Sequence, residues 1–285
     1  MLNIEPLHRD LGARVTGVDL AAALDDDTVE EIQAAVDAYS FVCFPGQEMD
    51  DERHMAFTKR LGALENNHIV YGRTGKHVYF GDVGNVLPDG TVQGNKDPRI
   101  VFLTANEMWH TDSSFREVPS KLTVMAAYEV PEEGGATQYV STRAAYARLP
   151  AEMQAVIDPL IAIHDYVYSR SKVAEVMQAH ADTVPPVKQK VVRTNPRSGA
   201  KNYFVGSHAR EIVGWDEQKS RALLDDLVAR AIVEDAVFTH HWAPGDLVIW
   251  DNRCLLHRGT GYDADKYRRR MRFMRVSNEV NSLDE

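Results

Sequence analysis

Cysteine is nearly absent: Cys43 and Cys254 are the two in 285 residues. Each sits in an apolar stretch, Phe41-Val42-Cys43-Phe44 and Cys254-Leu255-Leu256, so both read as buried free thiols and no disulfide framework exists. No apolar run approaches the ~20 residues that span a bilayer. The start, Met1-Leu2-Asn3-Ile4-Glu5, lacks the charged and then apolar stretch of a secretory signal, so the cytoplasm is the expected location, without a membrane partner. Positive charge is also short: 32 Lys and Arg against 42 Asp and Glu leave a net charge of -10. Phosphate binding needs a basic face, which argues against nucleic acid as a partner. No internal repeat or low-complexity linker divides the chain, and 44% hydrophobic with 26% charged residues is wrong for disorder.

What is present reads as one α+β domain over residues 1–285, built on a β-sandwich or jelly roll. Residues 28–39 repeat Val29, Ile32, Ala35 and Val36 at helical spacing, and residues 51–61 form a second helix stopped by Gly62. Residues 41–44, 122–128, 137–140, 247–250, 254–258 and 267–276 read as strands, with a hairpin joining 191–194 to 202–205. Helices are expected at 142–149, 151–163 and 216–231. Residues 66–105 form a loop-rich, glycine-punctuated segment of the kind that covers a site, and about 165–188 is a helical insert.

The chemistry begins at Trp109-His110-Thr111-Asp112. In an extended segment positions i and i+2 face one way, so His110 and Asp112 can take two neighbouring corners of a metal's coordination sphere. A third, distant ligand would complete the 2-His-1-carboxylate triad of non-haem iron oxygenases. His257, at the end of a strand after the turn Trp250-Asp251-Asn252-Arg253, is the candidate. Taken alone it reads as a capping or hydrogen-bonded core histidine. The next strand of the chain changes that reading: Arg268, Arg270 and Arg272 share one parity, so a strand places three guanidiniums on one face, where they call for anions. Arg269 and Arg275, of opposite parity, read as solvated or rim-paired. A metal beside an arginine-lined strand fits a dicarboxylate cosubstrate.

These features resemble the Fe(II)/2-oxoglutarate dioxygenases of the taurine dioxygenase family, most nearly the 2,4-dichlorophenoxyacetate dioxygenase branch. The resemblance runs through Val15-Thr16-Gly17-Val18-Asp19-Leu20, Phe44-Pro45-Gly46-Gln47, Asn106 through Phe115, Pro131-Glu132-Glu133-Gly134-Gly135-Ala136-Thr137, Gly206-Ser207-His208-Ala209 and residues 250–263. It implies a double-stranded β-helix with flanking helices, and His110, Asp112 and His257 as ligands of Fe(II). It further implies that Thr137 and Arg268 hold the distal carboxylate of 2-oxoglutarate, that Arg272 serves the other carboxylate or an acidic substrate, and that Asn106 lines the pocket. The implied reaction consumes O2 and 2-oxoglutarate, releases succinate and CO2, and hydroxylates a C–H bond of a small organic acid.

An aryloxyalkanoate cleaved to a phenol is the reading within that class. His68 and Tyr71 resemble the taurine enzyme's His-x-x-Tyr, which keeps a sulfonate or sulfate ester as the alternative. Phe204 and His208 are further substrate candidates, each reading equally as packing. A non-catalytic metal-containing jelly-roll binding protein is the reading from another class. A structural zinc site is poor, because the three ligands lack a thiolate or a fourth protein donor. Symmetric homo-oligomers are common among such enzymes, and one is expected here.

Overall fold

In Phe41-Val42-Cys43-Phe44 every residue is buried, and alternate side chains serve two different cores. Val42 and Phe44 pack with Ile32, Val36, Phe57 and Leu61 of two helices, while Phe41 and Cys43 pack on the opposite face with Met125, Tyr139 and Trp250. A strand alternates faces with period two, so a strand apolar at every position must be covered on both sides. Leu247–Asp251 repeats the pattern: Leu247 and Ile249 face the helices, Val248 and Trp250 the interior.

The computed structural model describes residues 2–67, 75–175 and 181–285; His68 and Tyr71 lie outside the described residues. One large sheet runs in the order Asn3–Pro6, Ala13–Thr16, Phe41–Phe44, Leu247–Asp251, Ser120–Glu129, Arg270–Ser277 and Leu64–Glu65, with Gly81–Gly84 also paired to Arg270–Ser277. All pairings in it are antiparallel except Ala13–Thr16 with Phe41–Phe44. A smaller antiparallel sheet, Phe238–His240, Thr137–Ser141 and Leu255–Gly259, lies across from it. Tyr139 and Leu255 of the small sheet share one core with Phe41, Val248, Trp250 and Met271 of the large one. Behind the small sheet, Val140 and Leu256 meet Leu224 and Leu227 of the helix Glu217–Ala231. Each such fully buried side chain contributes roughly 1.5–3 kcal/mol relative to exposure. The layers are therefore helices, large sheet, small sheet, helices.

Helix starts follow local chemistry. Asp25 accepts a hydrogen bond from the Thr28 amide at 2.7 Å to open Asp26–Tyr39, and Asp50 does the same for Asp51–Leu61 through the Arg53 amide at 2.8 Å. Two elements differ from the sequence expectation. The helix expected over 151–163 stops at Ile157, because Pro159 cannot continue it, and Ile161–His164 becomes a strand between Ala209–Ile212 and Val187–Lys190. In the segment read as loop, Asp97 caps a short helix, Pro98–Leu103, with the proline at its first position. No helix among the described residues is long and apolar enough to cross a membrane.

Candidate metal and cosubstrate site

His110 lies just past the 3-10 turn Thr104–Glu107, and His257 in the strand Leu255–Gly259. The two exchange backbone hydrogen bonds, His110 N to His257 O at 3.1 Å and His257 N to His110 O at 2.8 Å. Their rings stand 4.2 Å apart. The His110 Nδ1 is 2.7 Å from the Met108 carbonyl, which can only accept, so Nδ1 carries the proton and Nε2 keeps its lone pair for the site. Asp112 Oδ2 accepts from the Thr123 hydroxyl at 2.7 Å and lies 3.8 Å from His257 Nε2. One nitrogen from each histidine and one Asp112 oxygen all fall within 4.8 Å of one another.

Burial alone would raise the Asp112 pKa, but the Arg275 guanidinium, His257, His110 and the Thr123 hydroxyl outweigh it and hold the carboxyl well below the usual range. Burial pushes His110 down, and burial with the neighbouring His110 pushes His257 down to about 3. The centre thus offers two neutral imidazoles and one carboxylate, the protonation states a divalent cation requires. The donor set fits Fe(II).

Asn252 ties the two halves of this centre. Its Nδ2 donates to Ser120 and Thr123 hydroxyls at 3.2 and 2.8 Å, and its Oδ1 accepts from Trp250 Nε1 at 3.0 Å and from the Asp112 amide at 3.3 Å. Its carbonyl accepts from the Thr111 hydroxyl at 2.6 Å. The turn at 250–253 is therefore what holds the Asp112 loop against the sheet. A second cluster, Cys43, His240 and Asp246, has comparable spacing. There His240 Nε2 is already 3.1 Å from Asp246 Oδ2, and the three lie outside the cavity that His110, Asp112 and His257 line.

That cavity, about 790 Å³, lies between the two sheets and is closed on one side by residues of the 81–107 segment. Thr137 and Asn106 line it. Thr137 Oγ1 accepts from Trp242 Nε1 at 2.9 Å. The arginine assignments need correction. Arg268 is exposed and paired with Glu129 at 2.6 Å, and Arg272 is held between Asp51 and Asp82 with its guanidinium over the Phe80 ring. Neither lines the cavity; Arg269 and Arg275 do. The shared parity of Arg268, Arg270 and Arg272 is real, but it marks the outer face. Their anions are acidic side chains of this chain, and the inward set is Arg269, Met271, Phe273 and Arg275.

Arg269 is buried and donates from Nη2 to the Gly135 carbonyl at 3.3 Å, beside Thr137 in the sequence, while its Nε has no partner among the described residues. Gly84 permits this approach: at φ +119 a Cβ there would stand 2.0 Å from the Arg269 carbonyl oxygen. Arg275 reaches Asp112 at 3.7 Å and buried Glu65 at 3.5 Å. Phe204 and His208 are also corrected. Phe204 stacks on His164 in the core, and His208 sits behind His110, bonded to Ser114 at 3.2 Å; neither lines the cavity. Sequence reasoning also missed Arg170, on the short helix Tyr166–Arg170, and Phe102, both at the cavity wall.

Two facing sheets that bring neutral His, neutral His and ionised Asp to the wall of a cavity between them are built as non-haem metal oxygenases are built. The chain belongs to the TauD/TfdA family: residues 3–276 match the family model described as "Taurine catabolism dioxygenase TauD, TfdA family". It is 36% identical over 268 residues to the alpha-ketoglutarate-dependent 2,4-dichlorophenoxyacetate dioxygenase of Cupriavidus pinatubonensis, covering 92% of this chain and 93% of that one. It is 36% identical over 278 residues to the (S)-phenoxypropionate/alpha-ketoglutarate-dioxygenase of Sphingobium herbicidovorans, covering 93% and 92%. The crystal structure of AAD-2 in complex with Mn(II) and N-oxalylglycine superposes with a TM-score of 0.91 at 32% identity over 100% of both chains.

Proposed function

We propose that this chain, a 2-oxoglutarate-dependent dioxygenase by family, hydroxylates the carbon beside the ether oxygen of an aryloxyalkanoate. The observation that carries the reading is the His110, Asp112 and His257 cluster at the wall of a cavity that also holds buried arginines and an apolar side. His110, Asp112 and His257 hold Fe(II), which when bound supplies the oxidation of 2-oxoglutarate and substrate by O2. Arg269 and Thr137 take the distal carboxylate of 2-oxoglutarate: a planar fork binds both oxygens, and the hydroxyl adds a donor. Arg275 keeps Asp112 ionised and so keeps it a ligand. Phe273 and Phe102 keep water from the reacting carbon.

Hydroxylation at that carbon converts the ether to a hemiacetal. Its collapse breaks the bond between the hydroxylated carbon and the ether oxygen, moves the hydroxyl proton to the departing phenolate, and leaves a phenol and an oxo acid; succinate and CO2 account for the cosubstrate. The two packed, mainly antiparallel sheets support a double-stranded β-helix with flanking helices. The 81–107 segment of the cavity wall supports reading residues 66–105 as a cover within one domain. A sulfonate or sulfate ester reading leans on His68 and Tyr71, outside the described residues. The test is 2-oxoglutarate-dependent O2 consumption across aryloxyalkanoates, aryl acetates, sulfonates and amino acids, with products identified. Phenol from an aryloxyalkanoate supports the proposal; sulfite from a sulfonate, with no phenol, overturns it.

A further inference from the structure

Four arginines, Arg99, Arg170, Arg269 and Arg275, line the same cavity, and their charges are not met alike. Arg99 donates to the Gly84 and Asp82 carbonyls and to Gln93 Oε1. Arg275 has Asp112 and Glu65 as partners. Arg269 stands by the Gly135 carbonyl, near Thr137. Arg170 donates from Nη2 to the Oδ1 of Asn106 at 2.9 Å, a neutral acceptor. Its Nε and Nη1 are shut off from solvent and have no hydrogen-bond partner among the described residues. No Asp or Glu forms an ion pair with it there, and residues 68–74 and 176–180 contain neither residue type. Its guanidinium lies 5.3 Å from the centres of both the Phe102 and Tyr166 rings.

A guanidinium enclosed without a counter-ion is costly unless a ligand supplies one. It also lines the same cavity as His110, Asp112 and His257. The cosubstrate has two carboxylates, one of which goes to the metal with the 2-oxo group and the other to Arg269 and Thr137. That leaves the enclosed Arg170 for a second anion. We propose that Arg170, steered by Asn106, binds the carboxylate of the organic acid substrate, with Phe102 beside it as a wall for the substrate's ring. The proposal rests on the aryloxyalkanoate reading and assigns the acid group of that substrate to one residue. It also gives Asn106 a positioning role: its side-chain oxygen takes one Nη2 proton and orients the guanidinium, whose remaining donors are left for the acid group.

The test uses the full chain loaded with Mn(II) and N-oxalylglycine, so that no turnover is needed. Calorimetry measures binding of 2,4-dichlorophenoxyacetate and of its uncharged amide to wild type, Arg170→Met and Arg170→Lys. Arg170→Met is expected to weaken the acid by about 100-fold, as truncation of one member of an enclosed charge pair does, with little effect on the amide. Arg170→Lys should recover part of the loss, because it restores charge without the fork. N-oxalylglycine binding should be unchanged in both variants, which also certifies that they fold. Equal weakening of acid and amide, or wild-type acid affinity in Arg170→Met, overturns the proposal alone. Loss of N-oxalylglycine affinity in a folded variant also overturns it, placing Arg170 on the cosubstrate. A wild-type protein that takes up N-oxalylglycine but neither aryloxy ligand overturns the substrate reading and this assignment together.

Discussion

His110 and His257, 147 residues apart in sequence, form an isolated antiparallel bridge with both backbone hydrogen bonds made. The distant histidine is therefore placed by main chain rather than by side-chain packing, and the pairing needs no metal to form. Replacing His110, Asp112 or His257 with alanine should abolish Fe(II) or Mn(II) binding, by calorimetry, while the melting temperature stays near wild type. Metal affinity kept in any of the three would remove that residue from the ligand set.

Asn252 holds the Asp112 amide, Thr123 and Trp250 at once. It touches neither metal nor substrate in the proposed site, so its effect must act through Asp112. Asn252→Ala is expected to lower metal affinity by roughly 10–100-fold, the range for loss of a group that orients a ligand. An unchanged metal isotherm would show that the sheet alone fixes the Asp112 loop.

Arg268 and Arg269 are adjacent and should behave in opposite ways. Arg269→Ala is expected to raise the 2-oxoglutarate concentration needed for half-maximal succinate formation by at least roughly 30-fold, since a buried charge pair loses one member. Arg268, exposed and paired with Glu129, should give a near-wild-type value as alanine, because exposed pairs contribute little. The reverse result would restore Arg268 as the cosubstrate residue.

This contrast also shows where the sequence was readable. His-x-Asp, the distant histidine and the Gly-Gly-Ala-Thr turn carry local chemistry, and the structure brings those residues to one wall. The inward face of Arg270–Ser277 could not be chosen by counting arginines, because both faces carry them. The better signal was apolar: Met271 and Phe273 share parity with Arg269 and Arg275, and apolar residues mark the side turned to the interior. Arg170 had no such signal, since its helix spans only Tyr166–Arg170 and its partner Asn106 is 64 residues away. Phe204 and His208 fit a pocket wall and a packed core equally well by type, and only the stacking on His164 and the bond to Ser114 separate the two.

Gly84 tests how closely the cosubstrate arm is built. At φ +119, with the Arg269 carbonyl where a Cβ would go, Gly84→Ala must move the backbone of one strand or the other. The expected outcome is a raised 2-oxoglutarate requirement with metal affinity retained, because the His110 and His257 bridge lies on the other sheet. Metal binding lost together with cosubstrate binding would mean that the shift spreads beyond Arg269.

Acid should destabilise the fold through histidines outside the metal centre. Burial pushes His54 down to about 4, and burial with the Arg193 charge pushes His164 down to about 3, each from an ordinary value of 6.5. Both are neutral in the folded protein, so below pH 6.5 the unfolded chain takes up protons that the folded one refuses. Stability is then complete above pH 6.5 and falls as pH drops toward 4 for His54 and toward 3 for His164. The His54 share is on the order of 3 kcal/mol at the bottom of its window, from the free-energy equivalent of its shift. His54 Nε2 donates to the Val124 carbonyl at 3.1 Å, and glutamine can make the same bond without titrating. His54→Gln, followed by urea unfolding from pH 7 to pH 4, should therefore lose less stability with falling pH than wild type. Parallel pH curves for the two proteins would mean that His54 charges as readily inside the fold as outside it.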